Sequence, residues 1–259
     1  MNLSFNVKKA KGYKSPSQIA RVLTEDWGEK NLFCASCDED LLQPAPAGTK
    51  VYDFVCKSCS ERYQLKSQRA PFKDKFVDSA YQPMIDSIEN NEAPNLLLLH
   101  YDIACYRAEN LIVIPRFFLS KSSIEPRKPL SANARRAGWI GCNIVLKNLP
   151  SDGRITIIKN GRVFKTGDVR ARYNRFRFLM ETGARLRGWT ADTLKVIEEL
   201  GRKDFTLEEV YAFEGHLGTL HPENRHIRPK IRQQLQILRD RGILRFKGRG
   251  RYSFLRSNP

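Results

Sequence analysis

Apolar and polar residues follow two different periods along this chain, and the change between them marks its organisation. Residues 18–27 put Ile19, Val22 and Leu23 at helical spacing, which predicts a short amphipathic helix. Residues 50–55 and 61–66 alternate as strands. Residues 74–89 are assigned to a helix with Phe76, Met84, Ile85 and Ile88 as its apolar positions and Pro83 as a candidate kink. The continuous apolar runs 95–101 and 111–115 have the length of buried strands. Residues 154–159 and 162–165 flank Asn160-Gly161, a dipeptide suited to a tight hairpin turn. Mixed helix and strand over the first two-thirds predict an α/β or α+β domain.

Beyond about residue 185 the helical period takes over. Three helices are predicted over 192–200, 206–217 and 226–240, the second opened by Thr206 with Glu209 three residues on, a capping box. Strand-like segments 243–247 and 251–254 then bracket Gly248-Arg249-Gly250. Three helices followed by a basic, glycine-tipped hairpin describe a winged helix. The boundary is expected between residues 180 and 189, giving an α/β domain over 1–183 and a winged-helix domain over 184–259.

Charge narrows the partners. Lys and Arg total 45 against 28 Asp and Glu, a formal net charge of +17, with a sequence pI near 9.8. Such an excess repels itself unless a polyanion neutralises it, and nucleic acid is the usual one. A ribosome or an anionic membrane surface are the alternatives, but no basic amphipathic helix with a Trp/Leu face supports the second. No apolar run is long enough to span a bilayer. Residues 1–11 lack the apolar core of a signal peptide, so cytoplasm is the expected location.

Four of the six cysteines form Cys34-Ala-Ser-Cys37 and Cys56-Lys-Ser-Cys59, a CxxC–x18–CxxC arrangement. Two such knuckles let four soft thiolates close a tetrahedral structural Zn²⁺ site with no position left for water. Paired disulfides or a redox motif fit that spacing poorly in a cytosolic protein. Cys105 and Cys142 sit in apolar stretches and are expected in the core.

Asp53 precedes the second knuckle, and Gln64 and Lys66 follow it on the next predicted strand. An antiparallel return through the knuckle brings Asp53 near Gln64 and Lys66, which share one strand face. The D–x10–QxK pattern resembles the PD-(D/E)xK nuclease site. There a hard carboxylate holds Mg²⁺ and a lysine stabilises the charge that builds on phosphorus. Alone the pattern is weak, since an acid and a QxK on adjacent strands arise often by chance. Glu25 and Asp26 are candidate supplementary acids, or plain helix-end charges.

Residues 226–240 carry Arg228, Lys230, Arg232 and Arg239 around the apolar stripe Ile231, Leu235 and Leu238. The stripe packs the helix on its domain and turns the basic face toward a major groove. Gln233, Gln234 and Gln236 add amides, which can pair with an adenine edge. Lys247, Arg249 and Arg251 on the wing reach for phosphates or the minor groove. A solvated basic helix is the blander alternative.

Residues 21–27, 134–143 and 231–239, with 246–250, together resemble the methyl-directed restriction endonucleases of the DpnI type. The resemblance spans nearly the whole chain and is far more specific than the short metal motifs. It implies a restriction-endonuclease-like mixed sheet with flanking helices and an embedded zinc ribbon, followed by the winged helix. It also implies Mg²⁺-dependent cleavage of double-stranded DNA at GATC sites carrying N6-methyladenine. Asp53 and Gln64 then hold the Mg²⁺ and Lys66 is the catalytic lysine. Trp139, after Arg135 and Arg136, is the aromatic that meets the methyl groups, with a core aromatic as its competing reading. Burial of one methyl on the indole is worth about 0.8 kcal/mol before packing terms. A monomer with no companion methyltransferase is implied as well.

The chain departs from that family at Gln64, where a glutamate is expected. An amide oxygen still ligates Mg²⁺ but brings no charge, so more metal, or Mn²⁺, is the expected requirement. Two other readings remain: a methylated-DNA-binding protein whose metal site is degenerate, and a nuclease that responds to branched structure rather than sequence.

Overall fold

A computed structural model describes residues 1–49 and 51–255. In chain order the helices are α1 (Pro16–Asn31), α2 (Tyr81–Glu89), α3 (Thr166–Arg175), α4 (Ala184–Glu199), α5 (Leu207–Tyr211), α6 (Glu214–Leu220) and α7 (Ile227–Asp240). The strands are β1 (Gln43–Pro44), β2 (Phe54–Val55), β3 (Arg62–Gln68), β4 (Lys75–Ala80), β5 (Asn95–Asp102), β6 (Arg107–Ile114), β7 (Ile124–Pro126), β8 (Gly141–Val145), β9 (Ile155–Lys159), β10 (Arg162–Val163), β11 (Asp204–Thr206), β12 (Leu244–Gly248) and β13 (Arg251–Phe254).

A seven-stranded mixed sheet runs β1-β2-β3-β5-β6-β9-β10. Its pairings are antiparallel except β3 with β5, where Gln64 faces Leu96 and Lys66 faces Leu98 in parallel register. Parallel neighbours need a crossover, and here it contains β4 and α2. The leucine run 96–99 is essentially inaccessible along its length, as a strand covered on both faces must be. α1 buries Leu23 and Trp27 against this core, and the Trp27 indole donates to the Asn2 carbonyl at 2.7 Å. The β9–β10 turn is Asn160-Gly161, both at positive φ, as a tight hairpin demands.

The segment 74–89 is not one helix. Lys75, Phe76, Val77 and Asp78 alternate between exposed and buried, and β4 pairs with β8 in a separate sheet ordered β4-β8-β7. The helix begins only at Tyr81, so Pro83 falls in its first turn, where no intrahelical N–H bond is lost, and produces no kink. Phe76 and Met84 fit a helical period by accident, and the strand pairing overrides it. Residues 50–55 form less strand than predicted: β2 is confined to Phe54–Val55, and Lys50 lies outside the described residues. Cys142 is buried as expected, whereas Cys105 is exposed between β5 and β6.

The C-terminal part is a winged helix with a third strand. β11 joins the wing hairpin in the order β11-β13-β12, and Thr206 and Glu209 make the capping box. The predicted helix 206–217 divides into α5 and α6 at Ala212–Phe213.

α4 starts well before residue 192 because its first turns are buried as deeply as its last. Toward the N-terminal part of the chain, Arg187 donates to the carbonyls of Thr182 at 2.7 Å and of Ile88 on α2 at 3.1 Å. Ser122 donates to Asp192 at 2.7 Å, and the Glu198 carboxylate accepts from the Ser151 amide and hydroxyl. Toward the winged helix, Thr190 donates to Gln234 at 2.7 Å, and Trp189 stacks on His221 with ring centroids 3.9 Å apart. One helix thus belongs to both cores. The expected outcome in calorimetry is a single unfolding transition rather than two. Arg187→Ala should remove roughly 2–4 kcal/mol of stability, measured by urea unfolding, because it strands two buried carbonyls and leaves a cavity.

Candidate active site and nucleic-acid interface

The four cysteines converge. Their sulfurs lie within 4.8 Å of one another, with Cys34 to Cys59 at 3.6 Å and Cys37 to Cys56 at 3.5 Å. A tetrahedral Zn²⁺ with Zn–S near 2.3 Å needs sulfur–sulfur edges of about 3.8 Å, so the donor set fits zinc in number, softness and spacing. The Tyr63 hydroxyl sits 3.2 Å from Cys34 Sγ and accepts from the Ala35 amide, while Arg170 of α3 donates to the carbonyls of Cys34 and Glu39. Burial pushes the Cys34 thiol up to about 11. Without a metal Cys34 therefore keeps its proton; a bound cation reverses that preference.

This cluster closes the β2–β3 hairpin. Phe54 pairs with Tyr63, and the next residue back, Asp53, donates its amide to the Tyr63 carbonyl at 2.9 Å. Asp53 Oδ2 accepts from the Leu65 amide at 2.7 Å, so the carboxylate lies against the Gln64–Lys66 stretch. Half-burial holds the Asp53 carboxyl above the usual carboxylate range and nearby Glu25 adds to the rise; the Leu65 bond, Lys66 and Arg21 oppose it. The sequence pattern D–x10–QxK is thus one place in space. Glu25, held at 2.7 Å by Arg21 on α1, belongs to the same neighbourhood. Asp26 does not stand in that environment: it is buried between Lys30 and Lys9.

Asp78 was not anticipated. Its carboxylate is fully buried on β4, and Lys66 Nζ approaches Oδ1 at 2.6 Å. The signal was present as a charge at an inward position of an alternating strand, but assignment of 74–89 to a helix hid it.

Trp139 stays out of the core, which takes the other two tryptophans. It is half-buried in the loop between β7 and β8, where Leu130 donates to its carbonyl and Gly138 to that of Leu130. The Arg136 guanidinium stacks 4.8 Å from the indole centroid, and Arg135 is exposed beside it. The indole lies across Gly141: a Cβ there would come within 2.8 and 2.9 Å of ring carbons.

On α7, Ile231, Leu235 and Leu238 are buried, and Arg228, Arg232 and Gln233 are exposed with Lys230 half-exposed. Arg228 is paired with Glu214 and lies over the Tyr211 ring; Lys230 donates to Gln233. Gln234 corrects the sequence reading. It is wholly inaccessible and bonded to Thr190, so its amide joins α7 to α4 rather than facing a groove. A helix period of 3.6 puts Gln234 beside Ile231 and Leu238 on the inner face. Lys247, Arg249 and Arg251 are exposed on the wing, Lys247 paired with Asp204 and Arg249 at the tip with φ 47°.

Comparison with known families places these features together. The model of the DpnI, or Dam-replacing, family matches residues 1–182, and the Dam-replacing helix-turn-helix domain matches residues 185–253. The chain belongs to the DpnI family. It is a DNA-targeting, methyl-directed restriction enzyme with a C-terminal helix-turn-helix domain and a four-cysteine cluster compatible with zinc.

Two outcomes are expected from this geometry. Elemental analysis should find one zinc per chain, lost in Cys37→Ser with a fall in melting temperature; a metal-free, fully stable wild type would exclude the structural zinc. Gly141→Ala should displace the indole, seen as altered Trp139 fluorescence in a variant with Trp27 and Trp189 unchanged, at nearly native stability.

Proposed function

We propose that the protein is a Mg²⁺-dependent endonuclease that cuts double-stranded DNA at GATC sites whose adenine is N6-methylated. The observation that supports this most is the bond from the Leu65 amide to Asp53, which joins an acid to a QxK strand.

The residues fit a hard divalent cation. Asp53 uses one carboxylate oxygen for Leu65 and has another to offer, its charge is disfavoured by burial, and Glu25 adds nearby negative charge. Asp53 and the Gln64 amide oxygen would hold the ion, which when bound supplies a polarised phosphate and a more acidic water. Lys66 brings a positive charge to the phosphorus and offers ammonium protons to orient the attacking water. Half-burial of the site limits competing solvent and strengthens these charges.

DNA is held from several sides in this reading. Arg228, Lys230, Arg232 and Gln233 on α7 address the major groove, and Lys247, Arg249 and Arg251 on the wing address phosphates. Ion pairs such as Arg228–Glu214 are exposed, so exchange of the acid for a phosphate costs little. Trp139, with Arg135 and Arg136 around it, presents an indole face to the adenine methyl groups. The enzyme works as a cytoplasmic monomer, its nuclease part over residues 1–183 and its winged helix over 184–259. It needs no companion methyltransferase where host DNA lacks the mark.

The deciding experiment digests plasmids whose GATC sites are fully methylated, hemimethylated or unmethylated. Discrete fragments from methylated plasmid alone, abolished by Asp53→Ala, are expected. Tight binding without cutting in Mg²⁺ or Mn²⁺ would instead support the second reading, a methylated-DNA reader, which Gln64 in place of an acid favours. Gln64→Glu should lower the Mg²⁺ concentration for half-maximal cleavage several-fold; an unchanged requirement would remove Gln64 from the metal site. Arg232→Ala should reduce the slope of log affinity against log salt by about 0.9 if that residue neutralises one phosphate.

A further inference from the structure

Lys66 reaches its position through a flexible four-carbon stem, and nothing in strand geometry fixes where its ammonium ends. Its ion-pair partner is Asp78. The contact from Nζ to Oδ1 is 2.6 Å, the lysine side chain is 23% exposed, and the aspartate side chain is 0% exposed. Among the described residues no group hydrogen-bonds either Asp78 oxygen, and the Lys66 ammonium meets it as an opposite charge at close range. A buried carboxylate with a single partner is an expensive feature that a well-packed apolar residue would often improve upon.

The backbone explains how the acid comes to be there. β4 pairs with β8 through Val77–Asn143 and then Ala80–Gly141, so the register slips and Asp78 and Ser79 together oppose Cys142. Lys75 to Asp78 alternate between exposed and buried before that slip, so Asp78 shares the inward face of β4 with the buried Phe76. Asp78 therefore sits on a strand of the small sheet and points at a lysine of the large one.

We propose that Asp78 is a positioning residue for Lys66: its buried charge anchors the ammonium at one point by ion pairing and so presents it to the scissile phosphate and its attacking water. The inference rests on the reading of Lys66 as the catalytic lysine and adds a residue from a different sheet to that machinery. It also accounts for a charged residue at an inward position where packing alone would select an aliphatic one.

The test uses the full-length protein and methylated GATC duplex. Binding is measured in Ca²⁺, and single-turnover cleavage at saturating enzyme in Mg²⁺. Asp78→Asn, isosteric but uncharged, is expected to slow single-turnover cleavage by roughly 10- to 100-fold with Kd changed less than about 2-fold, the scale of a lost supporting contact. Asp78→Glu keeps the charge and should fall between the two. In a Lys66→Met background, Asp78→Asn should change the residual rate no further, because the acid acts through the lysine. A wild-type rate in Asp78→Asn, an additive loss in the Lys66→Met background, or loss of DNA binding in both Asp78 variants would overturn the proposal. Unimpaired cleavage by Lys66→Met would instead overturn the reading of the lysine itself, whatever Asp78 does.

Discussion

Four sulfur atoms hold the end of the β2–β3 hairpin, and the position of Asp53 depends on them. β2 is two residues long, far too short to keep its register by strand pairing alone. Its partner β3 is anchored by the parallel pairing to β5, whereas β2 has two-residue pairings with β1 and β3 and the knuckle that follows it. With Cys34 and Cys37 on one side and Cys56 and Cys59 on the other, the cluster pins the strand that carries Asp53 to the strand that carries Gln64 and Lys66. Tyr63 makes the connection explicit: it pairs with Phe54, receives the Asp53 amide at its carbonyl and places its hydroxyl on Cys34. The four-cysteine cluster, compatible with zinc, thus bears on where Asp53 stands.

Charge is sorted between inside and outside in a way that favours a polyanion. Among the described residues the buried acids are Asp26, Glu61, Asp78, Asp152 and Asp192, whereas Arg187 is the buried base. The surface is therefore more positive than the formal net charge of +17 suggests. The buried acids are used as joints. Glu61 accepts from Asn95 and pairs with Arg116 behind β3, Asp192 joins Ser122 to His221 between the two parts of the chain, and Asp78 faces Lys66. Each holds elements that the apolar core alone leaves free to slide, since hydrophobic contact has no direction and an ion pair does.

The same economy of position governs recognition. Gln233 and Gln234 are neighbours in sequence and opposite in role, one exposed on α7 and the other sealed against Thr190. Trp139 keeps its half-exposed indole because residue 141 has no side chain to push it away. Since Gly141 opens β8 and pairs with Ala80, the loop that carries the aromatic leads into the same small sheet that holds the acid behind Lys66.

The residues themselves determined much of this. Cysteine spacing announced that four thiols converge, because two CxxC knuckles at that separation have few other uses. The apolar run 95–101 announced the central strand, and Thr206 with Glu209 announced a helix start, since both signals are local. The winged helix followed from a helical period that ends in a glycine-tipped basic hairpin. What only the tertiary structure decided were matters of distance and direction. Residues 74–89 contain a strand and a helix because β8, more than sixty residues downstream in the chain, supplies the pairing for the first half. Gln234 is internal because α4 lies against it, and Asp78 meets Lys66 because the inward face of β4 comes up against a strand of another sheet. Periodicity reports which side of an element is apolar; it carries no information about what a distant segment brings to that side.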